Sequence, residues 1–308
     1  MSPIQTQNGK QAVSLTRYAW LSIAAAITTI ILKTIAYLLT GSVGLLSDAA
    51  ESIVNLLGAS MALAMLTIAA WPPDKSHTYG HSKAEYFAST VEGLLILVAA
   101  GGIIWAAIGR FFHPRPLEDL GLGLAISTSA SLINLVVARI LTSVGKRESS
   151  ITLEADGQHL MTDVWTSAGV IGGIAVVAFT KWLPLDPLVA IGVALNIIWT
   201  SIQLLRRSIS GLMDASLPNH EQQIIEGVMA QYRLRGVDFH ALQTRQAAAR
   251  RFVSVHMLVP GAWTVHDAHH MAEEFEGDIR KALGKATVIT HLEPSEDEIS
   301  LNDLQLDR

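Results

Sequence analysis

Glu51 and Asn55 stand four residues apart in an otherwise apolar stretch, LLSDAAESIVNLLG, and Asp48 stands three residues before Glu51. On a helix this spacing puts all three on one face. A second stretch, ADGQHLMTD, repeats the pattern with Asp156, His159 and Asp163. A carboxylate, an amide oxygen, an imidazole and a second carboxylate make a donor set for a divalent cation. Two carboxylates with a neutral imidazole also balance a 2+ charge. Ionisable groups inside a membrane are costly and mark an ion or proton path. The competing reading, that such groups only satisfy one another inside a bundle, fits one polar residue better than the same spacing used on two helices. In transporters, internal repeats of this kind meet at a midplane site.

The elements that must position these residues are long apolar helices. Half of the 308 residues are hydrophobic, 16% are charged, and the mean hydropathy is +0.37, values of a membrane protein. A net charge of −5 without a basic block or aromatic platform excludes a nucleic-acid partner. The chain has no cysteine, which excludes disulfides and thiolate ligands and argues against Cu(I). The polar opening MSPIQTQNGKQAVSLTR outruns a signal peptide's charged region, and no small-residue cleavage motif follows, so the first apolar run reads as a retained helix. Six spans are expected, at Leu15–Leu39, Val43–Ala70, Phe87–Phe111, Leu120–Val144, His159–Phe179 (starting earlier, in EADGQ) and Leu185–Leu205. Pro72 and Pro73 end the second. Lys10, Arg17, Lys75, Lys83, Lys146, Arg147, Arg206 and Arg207 fall on one side, against Arg110, Arg115 and Lys181 on the other. The first side is therefore cytoplasmic, and both termini lie there. Trp71 and Trp182 fall at interfaces, and Lys33 in the first span either snorkels outward or pairs with an acid.

After about Ser210 the pattern changes to helix, strand, strand, helix, strand. The expected organisation is a cytoplasmic segment at 1–14 and a six-helix membrane bundle at 15–210. A small cytoplasmic α+β domain, which by its resemblance to known folds is ferredoxin-like and metallochaperone-like, follows at 211–295, then a flexible tail at 296–308. Seven of the eleven histidines lie after Pro218, among them His220, which reads as a helix-start residue, and His266 and His270, which read as exposed surface.

Taken together, TGSVGLLSDA, HTYGHSKAE, ADGQHLMTD, SGLMDASLP and the TRQ strand resemble the cation diffusion facilitator family over nearly the whole chain. The resemblance implies a homodimeric exporter of cytoplasmic divalent metal by proton antiport, in the inner membrane of a bacterium, of the ferrous-iron or zinc efflux type. It implies a transport site of Glu51, Asn55, His159 and Asp163; Asp48 and Asp156, repeated at the same place in the two patterns, are read from the sequence as outer or relay groups. It implies a loop site of Asp74, His77 and His81, and a regulatory binuclear site between two cytoplasmic domains from His240, His256, His269, His291 and Glu293. Lys83 and Asp214 match a charge pair that locks the dimer. The chain departs from the family at Glu51 and Asn55, where His/Asp or Asp/Asp is common, and at Glu293, where aspartate is common. Zinc is the first expectation, with iron, cobalt, nickel, cadmium or manganese open. A histidine ligand must shed its proton to bind metal, which supplies the proton half of the exchange. A membrane metalloprotease would want H-E-x-x-H, which is absent, so no enzyme is expected. A membrane-anchored metal sensor is the alternative, but it leaves the acids on two membrane helices unexplained.

Overall fold

The computed structural model describes the backbone of residues 4–40, 43–112, 121–180, 185–298 and 300; the side chains of residues 4–14, 43–51 and 170–186 are among those outside the description. His113, Arg115, Lys181 and Trp182 lie outside the described residues. The chain divides into two compact units, Met1–Ile209 and Ser210–Arg308.

Long apolar runs, with Pro187 in the first turn of the last the one proline inside a described helix, set the first unit. Its helices are α1 (Ile4–Thr40), α2 (Val43–Ala69), α3 (Ala84–Phe112), α4 (Gly121–Glu148), α5 (Ile151–Thr180) and α6, which enters the unit at Leu185 and ends at Leu212. Described stretches of three of them, Leu15–Ile35, Ala84–Gly109 and Thr128–Glu148, are long and apolar enough to cross a membrane. The helix α1 starts at Ile4 rather than Leu15, because its backbone hydrogen bonds are internal and no proline interrupts the polar lead-in. The start of α5 falls well before His159, at Ile151. There Ser150 hydrogen-bonds with Glu85, whose carboxylate also accepts from the Thr152 amide at 3.5 Å.

Small residues let α4 and α5 pack closely. A Cβ at Gly157 would lie 2.5 Å from Thr142 Oγ1 and 3.1 Å from the Ala138 carbonyl. Ala19, Leu66, Ala138, Leu141, Leu153 and Leu160 form a buried cluster from α1, α2, α4 and α5. Serine hydroxyls join α6 to α3: Ser201 donates to the Gly93 carbonyl at 2.6 Å, and Ser89 bonds Ser208 at 2.8 Å. Arg207 clamps Glu154 of α5 through two hydrogen bonds of 2.5 and 3.2 Å. Lys33 is only 6% exposed, so it does not snorkel outward.

In the second unit, α7 (Asn219–Arg233) and α8 (Val265–Leu283) accompany β1 (Asp238–Ala247), β2 (Arg250–Val259) and β3 (Ala286–Pro294). The sheet order is β1-β2-β3, antiparallel between β1 and β2 and parallel between β2 and β3, so α8 is the crossover. Val253, Val255 and Met257 turn one face of β2 toward Ala268, Ala272, Phe275 and Ile279 of α8. Beyond β3, where the sequence suggested a loose tail, Glu296 and Ser300 each make a contact. Glu296 accepts from the Gly261 amide at 2.9 Å, and the Ser300 hydroxyl donates to the Pro294 carbonyl at 2.9 Å. Residues 301–308 of that expected tail lie outside the described residues.

The helix α8 starts on a reciprocal cap between Thr264 and Asp267. Thr264→Ala should cost about 1 kcal/mol of this unit's stability, read by chemical denaturation, and speed amide exchange in the first turn. The Thr264 hydroxyl is the main cause holding the Asp267 carboxyl below its ordinary range. Its contribution is therefore present above pH about 3.9, the unfolded value, and is lost as pH falls through the lower folded one. Thr264→Ala should flatten that acid limb of the stability curve.

Candidate functional site

The helix α2 carries Asn55, α3 Glu92, α4 Asn134 and α5 both His159 and Asp163, and all five are buried. His159 Nε2 bonds Asn55 Oδ1 at 2.6 Å. The Asn55 amide donates to Asp163 Oδ2, and Asn134 Nδ2 donates to the same oxygen at 3.1 Å. Three of the four residues expected at the membrane site are thus in direct contact. Asp48 and Glu51 lie on α2, with side chains outside the described residues. Asp156, one turn before His159, accepts from Ser22 of α1 at 3.0 Å, and its other oxygen has no hydrogen-bond partner among the described residues.

Two groups here escaped sequence reading. Asn134 supports Asp163 from α4, and Glu92 places Oε2 3.0 Å from His159 Nδ1. Each is a polar residue in a largely apolar run. Neither has a spaced partner on its own helix, which is why the pattern search passed over both.

The loop between α2 and α3 brings Asp74, His77 and His81 together, their donor atoms all within 4.8 Å of one another. Asp74 Oδ1 accepts the Ser76 and His77 amides at 2.8 and 2.6 Å, and Oδ2 faces His81 Nε2 at 3.4 Å. The His77 amide is the main cause holding Asp74 below the ordinary carboxylate range. Gly80 turns the chain at φ 84°, a left-handed conformation that lets its amide reach the His77 carbonyl.

Sheet register builds the third cluster. His240 of β1 stands opposite His256 of β2, which stands opposite His291 of β3. An irregularity in β1 after His240, with Ala241 at φ 50°, follows that row. Buried Glu293 lies two residues beyond His291 and so faces the same side. Its oxygens lie 2.7 Å from His240, 2.8 Å from His256 and 3.6 Å from His291. Two imidazoles and a carboxylate at these separations suit a divalent ion with N/O preference. His269 does not join them within one chain. It is an exposed residue of α8, which packs on the other face of the sheet, near His266 and His270. His220 is exposed beside Glu221. Lys83 and Asp214 belong to separate units; within its own, Asp214 accepts from Arg245 at 3.1 Å.

Glu293→Ala, which removes the carboxylate shared by three histidines, should weaken Zn2+ binding by at least the roughly 10–100-fold that follows loss of an outer partner. Calorimetric titration of the full chain, with the membrane site disabled by Asp163→Ala, reads this directly.

Comparison with known proteins places the chain in a family. The cation efflux transmembrane domain matches residues 19–213, and the cation efflux protein cytoplasmic domain matches residues 217–295. An uncharacterized transporter of Synechocystis sp., sll1263, is 52% identical over 280 residues, covering 91% of this chain and 90% of that one. The cation-efflux pump FieF of Klebsiella pneumoniae subsp. pneumoniae is 27% identical over 282 residues, 91% of this chain and 93% of that one. FieF of Salmonella arizonae is 26% identical over 281 residues, with the same coverage of 91% and 93%. Two domain matches that together span most of the chain, and a relative of this identity across nine-tenths of it, identify the chain as a member of the cation efflux, or cation diffusion facilitator, family of membrane transporters.

Proposed function

We propose that this protein exports a divalent metal cation from the cytoplasm in exchange for protons, by alternating access around Glu51, Asn55, His159 and Asp163. One observation carries the reading: Asn55, His159 and Asp163, from two helices, meet in direct contact at a buried position of the membrane unit. Such a set of neutral and anionic N/O donors favours a borderline divalent ion, with zinc first and iron, cobalt, nickel, cadmium or manganese as alternatives. The relatives named cation-efflux pump support the direction of transport. Metal at this site displaces the proton of His159, and reprotonation from the far side releases the metal. Asp156 and Asp48 are read as groups that pass water or protons toward it.

The fold is read as six membrane spans with both termini in the cytoplasm, followed by a ferredoxin-like domain, in the inner membrane. The working unit is read as a homodimer locked by Lys83 and Asp214. In that dimer His269 would complete, from the partner's domain, the cluster of His240, His256, His291 and Glu293, which senses cytoplasmic metal. The loop cluster of Asp74, His77 and His81 is read as a weaker metal site that water completes.

In proteoliposomes, His159→Ala and Asp163→Ala should each abolish zinc-driven proton movement, and retained antiport in either would sink the assignment. Asn55→Asp replaces a neutral oxygen donor by a charged one. Across a panel of Zn2+, Fe2+, Co2+, Ni2+, Cd2+ and Mn2+ it should change the rank order of flux. An unchanged order would remove Asn55 from the selectivity argument.

A further inference from the structure

Among the described residues of the membrane unit, two of the three buried glutamates are satisfied. Glu85 is held by Ser150 and Thr152, and Glu154 by Arg207. Glu92 differs. It is 0% exposed, and neither of its oxygens has a hydrogen-bond partner among the described residues. Its Oε2 lies 3.0 Å from Nδ1 of His159, on the side of the ring away from Asn55, which meets Nε2. A lone buried carboxylate is too costly to be retained without a positive or proton-donating neighbour, and that neighbour here is the imidazole.

The opposite wall is shaped for it. A Cβ at Gly58 of α2 would lie 2.5 Å from Glu92 Oε1 and 3.2 Å from Oε2. Gly58 follows Asn55 by three residues, so one face of α2 supplies the amide and the next turn leaves room for the carboxylate.

We propose that Glu92 is a positioning residue for the transport site: it pairs with Nδ1 of His159 at 3.0 Å and, when a cation takes Nε2, accepts the hydrogen bond of Nδ1–H, which aims Nε2 at the cation. This rests on the reading of His159 and Asp163 as cation ligands. A cation at Nε2 requires the neutral ring to carry its hydrogen on Nδ1, and Glu92 is the acceptor on that side. Carboxylates placed in this way behind a histidine ligand fix the ring and strengthen its donor nitrogen. The third helix thereby enters cation binding without touching the cation, and Gly58 is part of the same device.

The test measures flux in proteoliposomes with whichever of Zn2+, Fe2+, Co2+, Ni2+, Cd2+ or Mn2+ the wild type carries fastest. Glu92→Gln should raise KM by about 10–100-fold while leaving the maximal rate within about twofold. Gly58→Ala keeps the carboxylate but pushes it from its place, and should raise KM in the same direction. The double variant should be no worse than the stronger single one, because both changes break one contact. A wild-type KM in Glu92→Gln, or a fall in maximal rate alone, overturns the proposal. Should Glu92→Gln fail to fold, Gly58→Ala decides: a raised KM supports the proposal and a wild-type KM overturns it. If His159→Ala and Asp163→Ala keep transport, the underlying site reading falls instead.

Discussion

The organisation of the membrane unit follows from the cost of an ionisable side chain where water is excluded, roughly 2.5–3.5 kcal/mol or more at the centre of a membrane helix. No single helix can relieve that cost, because residues at one face of a helix lie too close in type and direction to surround a charge. The described contacts show the relief coming across helices. Asp163 accepts from α2 and α4, His159 stands between α2 and α3, and Asp156 takes a hydroxyl from α1. Close packing at Gly157 and Gly58 lets these groups meet. In the proposed function the same arrangement would serve a cation: groups that satisfy one another would turn toward a 2+ ion.

In the second unit the constraint is register. Side chains on a strand alternate faces, so a slip of one residue would send a histidine to the core. Pairing puts His240, His256 and His291 in one row, while Val253, Val255 and Met257 face the helices. The packed face thus determines the other face, and the histidine row inherits its precision from the hydrophobic core. Glu293 is buried among three histidines, the same solution to a buried charge that the membrane unit uses.

Much of this was legible in the chain itself. Apolar runs, their proline stops and the switch to alternating strands announce a membrane unit followed by an α+β unit, because period and length report burial directly. The ends were less legible: α1 runs on to Ile4 and α5 back to Ile151, since helix bonding is indifferent to the polarity of the residues it continues through. Asn55, His159 and Asp163 were legible because their spacing repeats on two helices.

Glu92 and Asn134 were not legible as site residues, although the same exclusion from water surrounds them. Each lacks an acid, amide or histidine three or four residues away on its own helix, and nothing local distinguishes a glutamate paired with arginine, such as Glu154, from one facing an imidazole. His269 was grouped with His240, His256 and His291 from resemblance, yet within one chain α8 holds it apart from the sheet face where those three stand. The sequence by itself determined which segments avoid water and which residues could bind a cation, since those depend on residue type and period. Only the tertiary structure decided which of those residues touch. Contacts between helices depend on rotation, crossing and small-residue gaps such as Gly58, and these arise from packing many side chains at once.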